Sequence, residues 1–196
     1  AFAGCNQEAD ALKLINIKLT DEQYAYGVTK GNSDLLADVN DYLAKIKENG
    51  TFDEILAKYF ENEGTKVGSS LGTYDASKNQ LVVITNTPFE PFEYVGTDGK
   101  YYGVDMEIAN LREQNARFEE VANGLAAELD MELCIIEHVN FDTICEQVNK
   151  YPNAIVMAGL TYSEERAEIV DFSDTYYEAS QMLIVKGSDT MFDDCT

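Results

Sequence analysis

Positive charge is scarce in this sequence. Only 14 Lys and Arg stand against 36 Asp and Glu, for a formal net charge of −22 over 196 residues. Phosphate backbones are held by clustered Lys and Arg, so nucleic acid is not expected as a partner. Anionic lipid surfaces recruit polybasic segments, and this chain offers none. The acid excess suits a soluble protein that resists aggregation. Arginine is limited to Arg112, Arg117 and Arg166. Because Arg gives the fixed, bidentate grip on a carboxylate, any one of the three is a candidate site.

Other absences narrow the chemistry. No CxxC pair and no Cys/His cluster occurs, which argues against zinc. The lone histidine is His138, so a Ser/His or Cys/His engine would have to run through that residue. No catalytic residue, metal or cofactor is expected. No apolar run reaches the ~18 residues of a membrane span. No signal peptide is visible; Phe2-Ala3-Gly4-Cys5 has the look of a lipoprotein signal end, but lacks an apolar stretch before it. Four cysteines, Cys5, Cys134, Cys145 and Cys195, allow three disulfide pairings, and the sequence does not choose among them.

What is present is a globular composition, 45% apolar, in a length that suits one domain. The chain divides at Glu63–Asn79, a Gly-, Ser-, Thr- and Asn-rich stretch that reads as a linker. Before it, Phe2–Ala11 reads as a short helical piece and Tyr24–Thr29 as a strand. Asn32 or Ser33 then caps a helix whose apolar positions are Leu35, Leu36, Val39, Leu43 and Ile46. Asn49-Gly50 stops it, and Thr51 with Glu54 suggests a capping box for the next helix.

After the linker, Leu81–Thr85 is a short apolar run typical of a fully buried strand. Pro88 and Pro91 force a loop, and Gly96–Gly99 reads as a hairpin turn. A long helix is expected from about Asp105 to Leu129. Its residues Ile108, Leu111, Asn115, Phe118, Ala122, Leu125 and Leu129 follow heptad spacing. They read either as a pairing seam or, as preferred here, as one amphipathic face on a sheet. Strands at Glu132–Ile136, Ala154–Ala158 and Gln181–Val185 alternate with helices at Phe141–Asn149 and Glu164–Ile169. That alternation indicates an α/β fold with a largely parallel sheet.

Ligands of open parallel sheets bind outside the carboxyl ends of the strands. Asn86–Phe92, Val139–Asp142 and Gly159–Arg166 leave such ends. In the last, Gly159 permits close backbone approach, Ser163 is an N-cap, and Thr161 and Arg166 add a hydroxyl and a guanidinium. Together they suit a carboxylate or another anion. The competing reading pairs Arg166 with Glu168 or Asp171. Phe89 and Phe141 are the aromatic residues best placed to wall such a site.

At these residues the sequence resembles the amino-acid-binding proteins of ABC transporters, the family 3 extracellular solute-binding proteins. The matching runs are Ala154–Gly187, AIVMAGLTYSEERAEIVDFSDTYYEASQMLIVKG, and Leu81–Ala109, LVVITNTPFEPFEYVGTDGKYYGVDMEIA. Tyr24–Phe60 is similar to the family's carboxyl-terminal stretch. The resemblance implies two α/β lobes that close on a free amino acid, which is then passed to a transporter permease. It implies that Arg166 holds the ligand α-carboxylate, with Thr161 and Gly159 on its carboxylate and amino group. Phe89 and Phe141 would sandwich the ligand, and Asn86 occupies a position that many relatives use for a polar contact. The parent family is extracytoplasmic.

Three departures accompany the resemblance. The order is permuted, with the carboxyl-terminal part (12–63) before the linker (64–79) and the amino-terminal part (80–187) after it. Most of the second lobe is missing, leaving 1–11 and 188–196 as its remnants. The long helix carries an insert, Leu111–Asn123. The expected fold is therefore a three-layer αβα sandwich, a single lobe of the type II periplasmic-binding-protein fold over residues 1–196. Its mostly parallel five-stranded sheet has one antiparallel strand, built from Tyr24–Thr29, Leu81–Thr85, Glu132–Ile136, Ala154–Ala158 and Gln181–Val185. The new ends would emerge together, pairing Cys5 with Cys195 and leaving Cys134 and Cys145 as buried thiols. The expected function is amino-acid capture through a half-site. The alternative is a self-associating scaffold without ligand binding, a homo-oligomer formed through the hinge face or the long helix.

Overall fold

The computed structural model describes residues 11–110, 124–191 and 194. The chain opens on β1 (Leu12–Lys18), β2 (Glu22–Tyr24) and β3 (Gly27–Thr29). Two helices follow, α1 (Ser33–Glu48) and α2 (Thr51–Leu56), the second running into a π turn at Ala57–Glu61. Next come β4 (Gln80–Thr85), the hairpin of β5 (Tyr94–Val95) and β6 (Tyr101–Tyr102), α3 (Val104–Ala109) and α4 (Leu125–Glu128). The remaining elements are β7 (Glu132–Glu137), α5 (Ile144–Gln147), β8 (Ala154–Val156), α6 (Glu164–Ala167), β9 (Val170–Phe172), β10 (Tyr177–Ala179) and β11 (Met182–Lys186). No helix among the described residues is long and apolar enough to cross a membrane.

The central sheet has five strands in the order β7-β4-β8-β3-β9. β4 runs parallel to β7, with Val82 opposite Cys134, and parallel to β8, with Val83 opposite Ile155. β3 is antiparallel to both of its neighbours, β8 and β9, and is the one reversed strand. All six residues of β4 are buried, as expected for a strand covered on both faces. Alternation sends Leu81 and Val83 to one face, against α1, α2 and α3, and Val82 and Ile84 to the other, against Ile144, Cys145 and Val148. Cys134 and Cys145 are free, buried thiols.

Helix boundaries follow local chemistry. Asn32 caps α1 by accepting from the Leu35 amide at 3.2 Å. Gly50 adopts φ 82°, the left-handed conformation that ends the helix at low cost. The expected capping box at α2 does not form. Thr51 is already helical, Gly50 is the cap without a side-chain bond, and the Thr51 amide donates to Asn49 Oδ1 at 3.0 Å instead.

Three further expectations are corrected. The fifth strand of the sheet is β9, not Gln181–Val185. That segment forms β11 and pairs antiparallel with β1 in a separate two-stranded ribbon. β9 is held by pairing Asp171 with Val28 and by the Lys30–Asp171 ion pair at 2.8 Å. The expected strand Tyr24–Thr29 is split. β2 pairs with β10, Ala25 donates to Leu160 O, and only Gly27–Thr29 enters the sheet. The long helix is not one continuous element in its described part. α3 ends at Ala109, with Asn110 at φ −135°, and α4 spans only Leu125–Glu128. Leu111, Asn115, Phe118 and Ala122 of the heptad pattern, together with Arg112 and Arg117, lie outside the described residues. So do Phe2–Asp10, Cys5 and Cys195.

The stretch read as a linker packs on the protein. Ser69 is buried and exchanges backbone hydrogen bonds with Tyr101, and the Gly72 amide donates to Ile135 O at 2.8 Å. Leu71 bridges Ile135 in parallel, covering the otherwise open edge of β7.

Candidate functional site

The carboxyl ends of β4, β7 and β8 open together on one cleft of about 500 Å³. Its walls include Asn86, Phe89, Phe141, Gly159 and Thr161, together with Glu22, Tyr24, Glu93 and Gln181. The cleft thus brings together five of the six residues singled out from sequence. The sixth, Arg166, stands behind this wall.

Arg166 is placed by α6. Ser163 Oγ accepts from the Arg166 amide at 3.2 Å, the N-cap that the sequence suggests. The guanidinium then turns back over the preceding loop. Nη1 donates to Thr161 O at 2.8 Å, and the guanidinium carbon lies 5.1 Å from the centre of the Phe141 ring. The alternative partner Asp171 is occupied by Lys30. Among the described residues no carboxylate lies within ion-pair distance of Arg166. Its remaining guanidinium N–H groups are therefore not committed to a protein acid.

Gly159 sits at φ 49°, and a β-carbon there would lie 2.4 Å from the Phe89 ring. The position requires glycine both for its backbone angle and for the close approach of Phe89. Its amide donates to Asp105 Oδ2 at 2.9 Å, and the Tyr26 hydroxyl donates to Asp105 Oδ1 at 3.1 Å. Tyr176 stacks on Tyr26 with ring centres 4.3 Å apart and faces the same carboxylate, but its hydroxyl makes no hydrogen bond of good geometry. Burial pushes the Asp105 carboxyl up to about 6, against the lowering effect of the Gly159 amide and the tyrosines.

Phe89 stacks on Phe92 with ring centres 5.6 Å apart, and both pack against Tyr24. Asn86 is not a free polar group. Its Nδ2 donates to His138 O at 2.6 Å, joining the β4 and β7 exits and leaving its carbonyl oxygen. Thr161 pairs with Tyr24 across the cleft, and its hydroxyl lies 3.4 Å from Glu22 Oε2.

Sequence reasoning missed the acids of the cleft. Glu22 stands at the mouth, held by Thr20 and Gln181. Glu93 is 1% exposed, and neither carboxyl oxygen has a hydrogen-bond partner. Burial, and then the nearby Asp105 charge, pushes its carboxyl up to about 11, so it is protonated at neutral pH. Its only sequence signal is an acid inside the aromatic run Phe89-Glu90-Pro91-Phe92-Glu93-Tyr94. No cluster of ligands that could hold a metal ion occurs among the described residues.

The site is thus a cleft at the strand ends of a mostly parallel α/β sheet, walled by aromatics, with the Arg166 guanidinium behind it. Residues 81–193 match the bacterial extracellular solute-binding proteins, family 3, and the chain belongs to that family. Among curated relatives it is similar to the arginine-binding extracellular protein ArtP of Bacillus subtilis (strain 168), 28% identical over 122 residues. That match covers 62% of this chain and 42% of ArtP. It is also similar to a probable histidine-binding protein of Neisseria gonorrhoeae, 29% identical over 103 residues, covering 53% of this chain and 33% of the relative. The matches thus span less than half the length of these relatives. Among solved structures, the arginine-bound form of domain 1 from TmArgBP aligns over 57% of this chain and 83% of its own, with 24% identity and a TM-score of 0.39. A point mutant of the same domain aligns with 27% identity and a TM-score of 0.40 over 57% and 81%.

Proposed function

We propose that this chain binds a free amino acid in the cleft at the ends of β4, β7 and β8, as a solute-binding component of ABC-type amino-acid import. The observation that carries this reading is the grouping of Asn86, Phe89, Phe141, Gly159 and Thr161 around one cleft, with the Arg166 guanidinium at its back. In this reading Arg166 takes the ligand α-carboxylate by charge-assisted hydrogen bonds, and Thr161 and Gly159 contact the ligand's polar end. Phe89 and Phe141 wall its apolar part, and Asn86 offers its free carbonyl oxygen. The arginine and histidine named for the relatives support an amino acid as the ligand class.

The chain is in this reading a three-layer αβα sandwich, one lobe in permuted order, with 64–79 joining the family's two ends. The helices on both faces of β4 and the packing of residues 69–72 along β7 support it. A single lobe lacks the contacts that close over a ligand, so binding is weak. Membership of a solute-binding family and a cleft without a nucleophile–base pair support binding rather than catalysis. Delivery to a permease outside the cytoplasm is part of the same reading, and membership of the family supports it.

Calorimetry of the chain against the twenty amino acids tests the reading. Heat with at least one of them, lost in Arg166→Ala, is expected. No heat with any overturns it. One observation favours the alternative of a self-associating scaffold. The β1–β11 ribbon exposes Leu12, Leu14 and Ile184, and Leu19 just after β1 is exposed too, each more than half accessible. Light scattering at rising concentration separates the two, since a strictly monomeric species removes the scaffold reading.

A further inference from the structure

One group in the cleft is unused by the amino-acid reading. Glu93 lines the cleft, is 99% buried, and presents two carboxyl oxygens that bond to nothing in the protein. Buried polar atoms nearly always have a partner, because an unmet one keeps its desolvation cost without return. An orphaned carboxyl in the wall of a ligand cleft therefore marks the place of a ligand donor.

The surroundings specify the donor's charge. Glu93 faces Asp105 on α3, Tyr24 on β2, Tyr26 just before β3, and Tyr176 just before β10. Every one of these is acidic or neutral. The residues lining the cleft include the acids Glu22 and Glu93 and no Lys or Arg. Lys58, which lies on the turn after α2, is engaged with Glu107. A neutral amino acid brings one cation and one anion. With its carboxylate on Arg166, it leaves one of the two cleft acids unmatched. A ligand with a second cation matches both.

We propose that Glu93 is the contact for a cationic ligand side chain, so that the cleft selects basic amino acids, and that their binding ionises Glu93 and sends its proton to solvent. This inference rests on the amino-acid reading of the same cleft. The step balances: a neutral carboxyl and a ligand cation become a carboxylate–cation pair plus one proton taken up by water or buffer. Burial of the pair favours the ionised form once the cation is present, reversing the penalty that keeps the empty site neutral.

The experiment is calorimetry of the whole chain with L-arginine and with L-glutamine at pH 7, each in phosphate and in Tris. These buffers differ in ionisation enthalpy and so report protons released. The wild type is expected to bind arginine at least ~10-fold more tightly than glutamine, the size of one charge-assisted hydrogen bond. Close to one proton should leave per arginine, and none per glutamine. Glu93→Gln keeps the shape of the side chain and adds no charge. It should abolish the preference and the proton release, with arginine losing far more affinity than glutamine, while the circular dichroism spectrum stays unchanged. Equal loss of arginine and glutamine affinity in Glu93→Gln, or arginine binding without proton release, overturns the inference and leaves the amino-acid reading standing. Wild-type protein that binds neither ligand overturns both.

Discussion

The Gly159 amide donates to Asp105 Oδ2 at 2.9 Å, and this bond ties the loop leaving β8 to helix α3. The other Asp105 oxygen accepts from the Tyr26 hydroxyl at 3.1 Å. One buried carboxylate thus fixes the cleft backbone and the chain entering β3. Asp105→Ala strands both donors in a buried site. Each stranded group costs on the order of 1–3 kcal/mol, so a loss of about 2–4 kcal/mol is expected. Denaturant unfolding of the variant against wild type measures it. A loss under 0.5 kcal/mol would mean that water replaces the carboxylate.

Gly159 also fixes Phe89. The 2.4 Å approach of a notional β-carbon to the Phe89 ring leaves no room for any side chain, and φ 49° adds backbone strain. Gly159→Ala is expected to cost about 1–3 kcal/mol and to displace Phe89. Affinity for the ligand should fall with it, because Phe89 is a wall of the cleft. Thermal unfolding and calorimetry on the same sample check both effects. Phe89→Leu, which shortens the ring side chain, should recover part of the stability when combined with Gly159→Ala.

These two residues also show what the sequence makes legible. The three loops at the strand ends can be read because Leu81–Thr85, Glu132–Ile136 and Ala154–Ala158 are apolar runs bounded by clear breakers. Such runs form strands wherever they are buried. Val170–Phe172 could not be read as the fifth strand. It is three residues long with a charged centre, and its pairing is set by Val28 and Lys30, distant in sequence. Leu12–Lys18 alternates apolar and polar residues well enough to be a strand, but its partner β11 lies at the other end of the chain. Within the site, the aromatic and backbone groups could be read from local spacing. Glu93 could not, because the groups it interacts with electrostatically, Tyr24, Tyr26 and Tyr176 among them, are distant in sequence.

Burial of Glu93 makes stability depend on pH. Its carboxyl moves from an ordinary value of 4.5 up to about 11 in the folded protein. Between those values the native state binds a proton that the unfolded state has lost, so stability falls as pH rises through the window. Below pH 4.5 the group is neutral in both states and costs nothing extra. At pH 7 the penalty is about 3 kcal/mol, since each pH unit above 4.5 adds about 1.4 kcal/mol. Glu93→Gln removes this dependence, because the amide does not ionise. The variant should gain on wild type between pH 5 and 8, measured by urea midpoints in a pH series. Parallel pH profiles for the two proteins would show that Glu93 is ionised in the fold.

Glu137 behaves in the opposite sense and anchors the loop that carries Phe89. Thr87 Oγ1 and the Tyr101 hydroxyl each donate to its carboxylate at 2.5 Å, joining the β4 exit and β6 to the end of β7. Those bonds, Thr87 first and then Tyr101, hold the carboxyl below its usual range. A depressed folded value means that the stabilisation is complete above pH 4.5 and is lost as pH falls through the folded value. Glu137→Gln replaces two charge-assisted bonds by neutral ones in a partly exposed site. A cost of about 1 kcal/mol at pH 7 is expected after screening by solvent. The difference should vanish in acid, where wild-type Glu137 is itself protonated. Unfolding curves for both proteins over a falling pH series decide it, and a cost that stays constant down to the acid end of the series would assign the effect to packing rather than to charge.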